Sequence, residues 1–88
     1  MRKQWIKKIN VGDTYTTYDG KYHFVNFFKD GDETIAVTRR WAGHKKEWYY
    51  YAKPFCLVLY EICLNNSDVK DKEERRKFFE INGEEYWY

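Results

Sequence analysis

The sequence predicts a mainly β domain, a small barrel or twisted antiparallel meander with a short C-terminal helix and/or hairpin. Three observations carry this. Short runs rich in Tyr, Val, Thr and Phe are separated by Asp19-Gly20, Asp30-Gly31 and Gly43-His44, and Asp-Gly between β-rich runs is among the strongest hairpin signals. Aromatic residues make up 22% of the 88-residue chain, with nine tyrosines, six phenylalanines and four tryptophans, which opposes disorder although 34% of the residues are charged. A chain this short buries only about 60 to 65% of its unfolded surface, so it forms one domain and shares or exposes part of that aromatic area.

The elements follow in order. VGDTYTTYD forms a first strand, KYHFVNFFK a second, ETIAVTRRWA a third and EWYYYAK a fourth. Type I′ turns, with positive φ at both central residues, join the first strands. Pro54 lies at a strand boundary or edge, because it cannot donate to a ladder. FCLVLYEICL, residues 55–64, is apolar nearly throughout, so periodicity does not separate a buried strand from a buried helix; the expectation here is a strand. After the loop Asn65–Asp68, the charged run from Val69 to Lys77 reads as a short helix, with Asp71 and Glu74 at capping-box spacing. Asn82-Gly83 signals a closing hairpin that sets Phe79 opposite Tyr86 and Phe78 opposite Trp87, although it also opposes Glu80 to Glu85. Residues 1–88 are thus a single domain, with a barrel core over 11–64 and a C-terminal extension over 65–88.

Strand alternation assigns side chains to faces. If the Gly43-His44 turn holds two residues, or four, then Ile35, Val37, Arg39 and Trp41 share a face with Trp48, Tyr50 and Ala52. The same logic adds Tyr22, Phe24, Phe28, Val11 and Tyr15 and makes this the core. The opposite face carries Thr38, Arg40, Tyr49 and Tyr51 with His23, Val25 and Phe27. Turns of three or five residues reverse the assignment.

A meander of this kind, from Val11 to about Leu64, resembles the SH3-like barrel. In style, VGDTYTTYDGKYHFVNFFKDGDETIAVTRRW also resembles small accessory proteins of large tailed bacteriophages. That resemblance implies a binding factor for RNA or DNA, or an inhibitor that clamps a host or defence enzyme, at work in the host cytoplasm. A fold of this class fixes no function.

The net charge of +2 does not by itself announce a nucleic-acid binder. Position matters more. Arg39, Arg40, His44, Lys45, Lys46, Tyr49, Tyr51 and Lys53 combine cations for phosphates with rings on which bases stack, and they form the candidate partner-binding site. Arg2, Lys3, Lys7 and Lys8 extend the basic character. The competing reading is protein docking, since Trp, Tyr and Arg dominate interface hot spots.

Nothing points to catalysis, a metal or a cofactor. His23 and His44 have no sequence pattern joining them to Cys56 or Cys63, and the cysteine spacing matches neither a redox pair nor a zinc site, so both thiols are expected reduced and buried. Asp19, Asp30 and Asp32 are turn residues without the acidic spacing of a calcium loop. Lys7 and Lys8 interrupt the apolar run a signal peptide needs, and no stretch is long enough to span a bilayer, so a cytoplasmic protein without a membrane role is expected.

Overall fold

A computed structural model describes residues 7–65 and 71–86. Four antiparallel strands form one sheet in the order β1-β2-β3-β4: β1 Thr14–Thr17, β2 Gly20–Asp30, β3 Glu33–Ala42 and β4 Glu47–Pro54. Helices α1, Phe55–Leu64, and α2, Lys72–Ile81, follow. The meander matches the expectation, but β1 and β4 are the two ends of the order and do not pair, so the sheet is open rather than a closed barrel.

The turns explain the registers. Thr17 pairs with Gly20 and Asp30 with Glu33, leaving Tyr18-Asp19 and Gly31-Asp32 as two-residue loops. Gly31 has φ 66°, and the only non-glycine at positive φ among the described residues is Lys46. One positive φ at the first central position is the requirement of a type II′ turn, not the expected type I′. Gly20 has φ 135°, a conformation that calls for glycine, and a Cβ there would lie 3.0 Å from the Arg40 Cδ and push that flexible side chain aside. Ala42 pairs with Glu47, so Gly43 to Lys46 form a four-residue loop.

The β3–β4 parity is as expected, with Trp41 opposite Trp48 and Arg39 opposite Tyr50. Which face is inside is the reverse. The β2–β3 register shifts between Phe24 and Asn26, so Val25 is a bulge residue and β2 changes phase there. Tyr22 and Phe24 therefore lie on the face of Arg40 and Thr38, and Phe27 joins them beyond the bulge, opposite Ala36. Ala36, Thr38 and Ala42 are almost completely buried, whereas Trp41, Tyr50 and Phe28 are exposed. Val11, expected in the core, is also exposed, and Ile9 is buried in its place. Small side chains along the inner face of β3 let a helix approach the sheet closely, which bulky residues on the other face would prevent.

That helix is α1, and its run is helical rather than extended. It starts directly after Pro54, which tolerates a helix beginning because the proline lacks only a donor that a helix start leaves unpaired. No side chain caps it, and it has neither acidic residues in its first turn nor basic ones in its last. Burial holds it instead: Phe55, Val58, Leu59, Ile62 and Cys63 face Tyr15, Tyr22, Phe24 and Ala36 in one core. Periodicity missed this helix because its exposed side also carries Leu57 and Leu64.

In α2, the Asp71 side chain caps the start by accepting from the Glu73 backbone N–H at 3.0 Å, as its position in the sequence suggested. The helix runs beyond the expected end to Ile81, and Phe78 and Phe79 are fully buried. Asn82-Gly83 is no hairpin. Gly83, at φ 75°, stops the helix: its N–H donates to the Glu80 carbonyl and that of Glu84 to the Phe79 carbonyl, both at 2.9 Å. This is a Schellman motif. The expected contact of Phe79 with Tyr86 nevertheless forms, with ring centroids 4.9 Å apart. Trp87 and its pairing with Phe78, the start of the charged run at Val69 and Lys70, and Arg2 and Lys3 lie outside the described residues.

Candidate nucleic-acid interface

The expected site residues fall into three places. Arg39 is on the outer face of the sheet. His44, Lys45 and Lys46 are exposed in the β3–β4 loop, and Arg40, Tyr49, Tyr51 and Lys53 are on the inner face, the side that the helices cover. They do not form one surface.

A different group does. On the outer face Arg39 pairs with His23 on one side and Tyr50 on the other, and Trp41 pairs with Trp48. The Arg39 guanidinium carbon lies 3.9 Å above the Trp48 ring, and an Arg39 N–H donates to the Tyr50 hydroxyl at 3.2 Å. His23 meets Trp48 edge-on at 5.4 Å, and Trp41 meets Trp48 at 5.2 Å and 64°. A guanidinium stacked on indole is an attractive, well-placed contact, so Arg39 and Trp48 form a stiff centre. Around it, Trp41 is 47% exposed and Tyr50 58% exposed.

Alternation places Lys21 on the same face, next to its inward neighbour Tyr22. Cations thus lie along β2 and β3 at Lys21 and Arg39, with the His23 ring between them, and further rings lie along β3 and β4 at Trp41, Trp48 and Tyr50. The Lys45-Lys46 loop adds charge at the same end of the sheet, whereas Asp30, Asp32 and Glu33 gather at the far end of the β2–β3 hairpin. Trp41, Trp48 and Tyr50 were assigned to the core because alternation was carried unbroken through Val25, and His23 was placed on the opposite face from them. One available signal pointed the other way: the Ala36, Thr38 and Ala42 row is too small to fill a core against another sheet but suits a close helix.

The inner-face residues form a polar network against the core. Arg40 donates to the Tyr51 hydroxyl at 3.4 Å and lies over Tyr49, and Lys53 pairs with Glu61 at 3.4 Å. Tyr15 stacks on Tyr22 with centroids 5.2 Å apart. Burial, then the hydrogen bond and charge of Asp19, push the Tyr22 phenol up to about 12; burial, then Glu61, also raise Tyr15; and burial pushes the Cys63 thiol up to about 11. Thr38 lies beside the Tyr15 hydroxyl and partly offsets its rise, yet the two make no hydrogen bond of good geometry.

All three groups hold their protons more tightly in the folded chain than in the unfolded one. Their contribution to stability is complete below the ordinary thiol and phenol values of 9.0 and 10.0 and is lost as pH rises through the folded values. Thermal melts are therefore expected to fall progressively above about pH 9. Tyr15→Phe, which deletes one of these phenols, should flatten that decline; an unchanged melting temperature up to pH 11 in the parent would contradict this account.

No protein-family model, curated protein or solved structure matches this chain. Among the described residues no group of three or more His, Cys, Asp or Glu side chains is placed to hold a metal ion, and no helix is long and apolar enough to cross a membrane.

Proposed function

We propose that this chain is a non-enzymatic binding module that holds RNA or another single-stranded nucleic acid on the outer face of its sheet. The observation that carries the reading is the exposed Trp41 and Tyr50 pair set around the Arg39–Trp48 stack. Unpaired bases stack on such rings irrespective of sequence, and adjacent cations neutralise phosphates. Duplexes hide their base faces and leave the rings unused. A place among small phage accessory proteins and a cytoplasmic site of action belong to the same reading, which rests on the exposed rings and not on the open four-strand sheet.

Binding titrations with an unstructured RNA at several salt concentrations test it. Trp41→Ala and Tyr50→Ala should each weaken binding by about 1 to 3 kcal/mol with little change in salt slope, because stacking releases no counterions. Both residues are largely exposed, so melting should change little. Lys21→Glu and Lys45→Glu should instead lower the slope by roughly one phosphate each. Tyr49→Ala, on the other face, should leave affinity unchanged. A parent that binds no RNA, or affinity insensitive to both Trp41 and Tyr50, would replace this reading with docking to a host protein, for which the same Trp, Tyr and Arg side chains are suited.

A further inference from the structure

On the helix side of the sheet, a cleft of about 430 Å³ opens between the β1–β2 turn and the C-terminal end of α1. Thr17, Asp19, Tyr22, Lys53, Glu61 and Leu64 are among its walls. Two of these are carboxylates. Asp19 accepts from the Thr17 hydroxyl and, at 2.9 Å, from the Tyr22 hydroxyl, and these bonds favour its ionised form. Glu61 stands on the helix wall, whose last turn has no basic side chain to offset the negative end of the helix.

Lys53 shows what chemistry this setting accepts. Its ammonium lies 3.4 Å from Glu61 and over two rings at once, 5.5 Å from the Tyr51 centroid and 5.8 Å from that of Tyr22. Two carboxylates and two aromatic faces are the components of an ammonium-binding cage. Among the described residues, the Tyr15 and Thr38 hydroxyls and the Arg40 Nε are buried polar atoms without a hydrogen-bond partner, and Tyr15 stacks on the cleft residue Tyr22.

We propose that this cleft binds an alkylammonium or guanidinium group, with Lys53 holding the seat when no ligand is present. The ligand cation takes the position over Tyr22 and Tyr51 between Glu61 and Asp19, and its carbon chain lies along exposed Leu64 and Tyr18. Lys53 then swings to solvent, where a third of its side chain already is. Once it leaves, the described lining of the cleft keeps the Asp19 and Glu61 carboxylates and no cation, so the vacated site is negatively charged.

An internal competitor gives a distinctive test. Calorimetric and NMR titrations of the full chain would use spermidine and a short lysine-rich peptide, with 1-pentanol as the uncharged control. Spermidine or the peptide should shift resonances of Asp19, Tyr22 and Glu61, and pentanol should not. Lys53→Ala, by emptying the seat, should tighten binding, and Glu61→Gln should weaken it roughly tenfold, as expected for one charge-assisted contact. Asp19→Asn provides a second wall variant should Glu61→Gln alter folding. Tighter binding of spermidine identifies a free amine as the ligand, and tighter binding of the peptide a protein side chain. The proposal fails if neither cation binds, if Lys53→Ala weakens or leaves affinity unchanged, or if the shifts map to Trp41 and Tyr50 instead.

Discussion

Phe78→Ala is expected to leave the chain only marginally stable. Phe78 is fully buried, and its neighbour Phe79, also fully buried, contacts it at a ring-centroid distance of 6.4 Å. Truncating a buried phenylalanine costs about 3 to 5 kcal/mol, and small domains have total stabilities of about 5 to 15 kcal/mol, with chains of this size towards the lower end. The effect reaches the sheet because both phenylalanines belong to the same core as Phe24, Val58 and Leu59. Urea denaturation followed by tryptophan fluorescence and by circular dichroism should show both signals lost together. A variant that retains the parental sheet and loses only helical signal would show that α2 is an appendage, as a C-terminal extension would be.

Asn82→Ala should have the next largest effect for a single polar side chain. Its amide oxygen accepts from the Ile9 N–H at 2.7 Å, and its amide nitrogen donates to the Lys7 carbonyl at 3.0 Å and to the Phe78 carbonyl at 2.9 Å. One side chain thus ties the segment before β1 to the end of α2 and seats Ile9 in the core. Three bonds of roughly 0.5 to 1.5 kcal/mol each give an expected loss of about 1.5 to 4.5 kcal/mol, with Ile9 N–H left unpaired. Asn82→Asp keeps the acceptor and removes both donors, so it should recover only part of the loss. Hydrogen exchange at Ile9 reports directly: protection unaltered in Asn82→Ala would remove this account.

The four-strand meander from β1 to β4, its two tight turns near Asp19 and Gly31, and the Asp71 cap were legible in the sequence because each depends on residues close together in the chain. The faces were not. Alternation is a reliable guide only while the phase is unbroken, and nothing in HFVNFF distinguishes Val25 as the residue that breaks it. For the same reason, the candidate site was placed on Arg40, Tyr49 and Tyr51 rather than on Trp41, Trp48 and Tyr50, although Arg39 and the loop lysines were found. The helix at 55–64 was expected as a strand because apolar residues lie all round it, and only the tertiary choice of a sheet to cover makes it helical. Asn-Gly, finally, serves hairpins and helix ends alike; the difference lies in whether the preceding residues are already helical.

The bulge at Val25 has a consequence for how this domain can change in length. Insertions and deletions ordinarily accumulate in loops, where one residue more or less leaves the sheet untouched. Here β2 carries one extra residue, and the bulge absorbs it so that Tyr22, Phe24 and Phe27 reach the core together. Deleting Val25 would join the two half-strands into a uniform strand in which the three rings still share a face and keep Arg40, Thr38 and Ala36 opposite them, whereas deleting His23 would set Tyr22 and Phe24 on opposite faces. The interior of β2 can therefore shorten by one residue at the bulge, and the four-residue Gly43–Lys46 loop can lengthen beside the exposed rings.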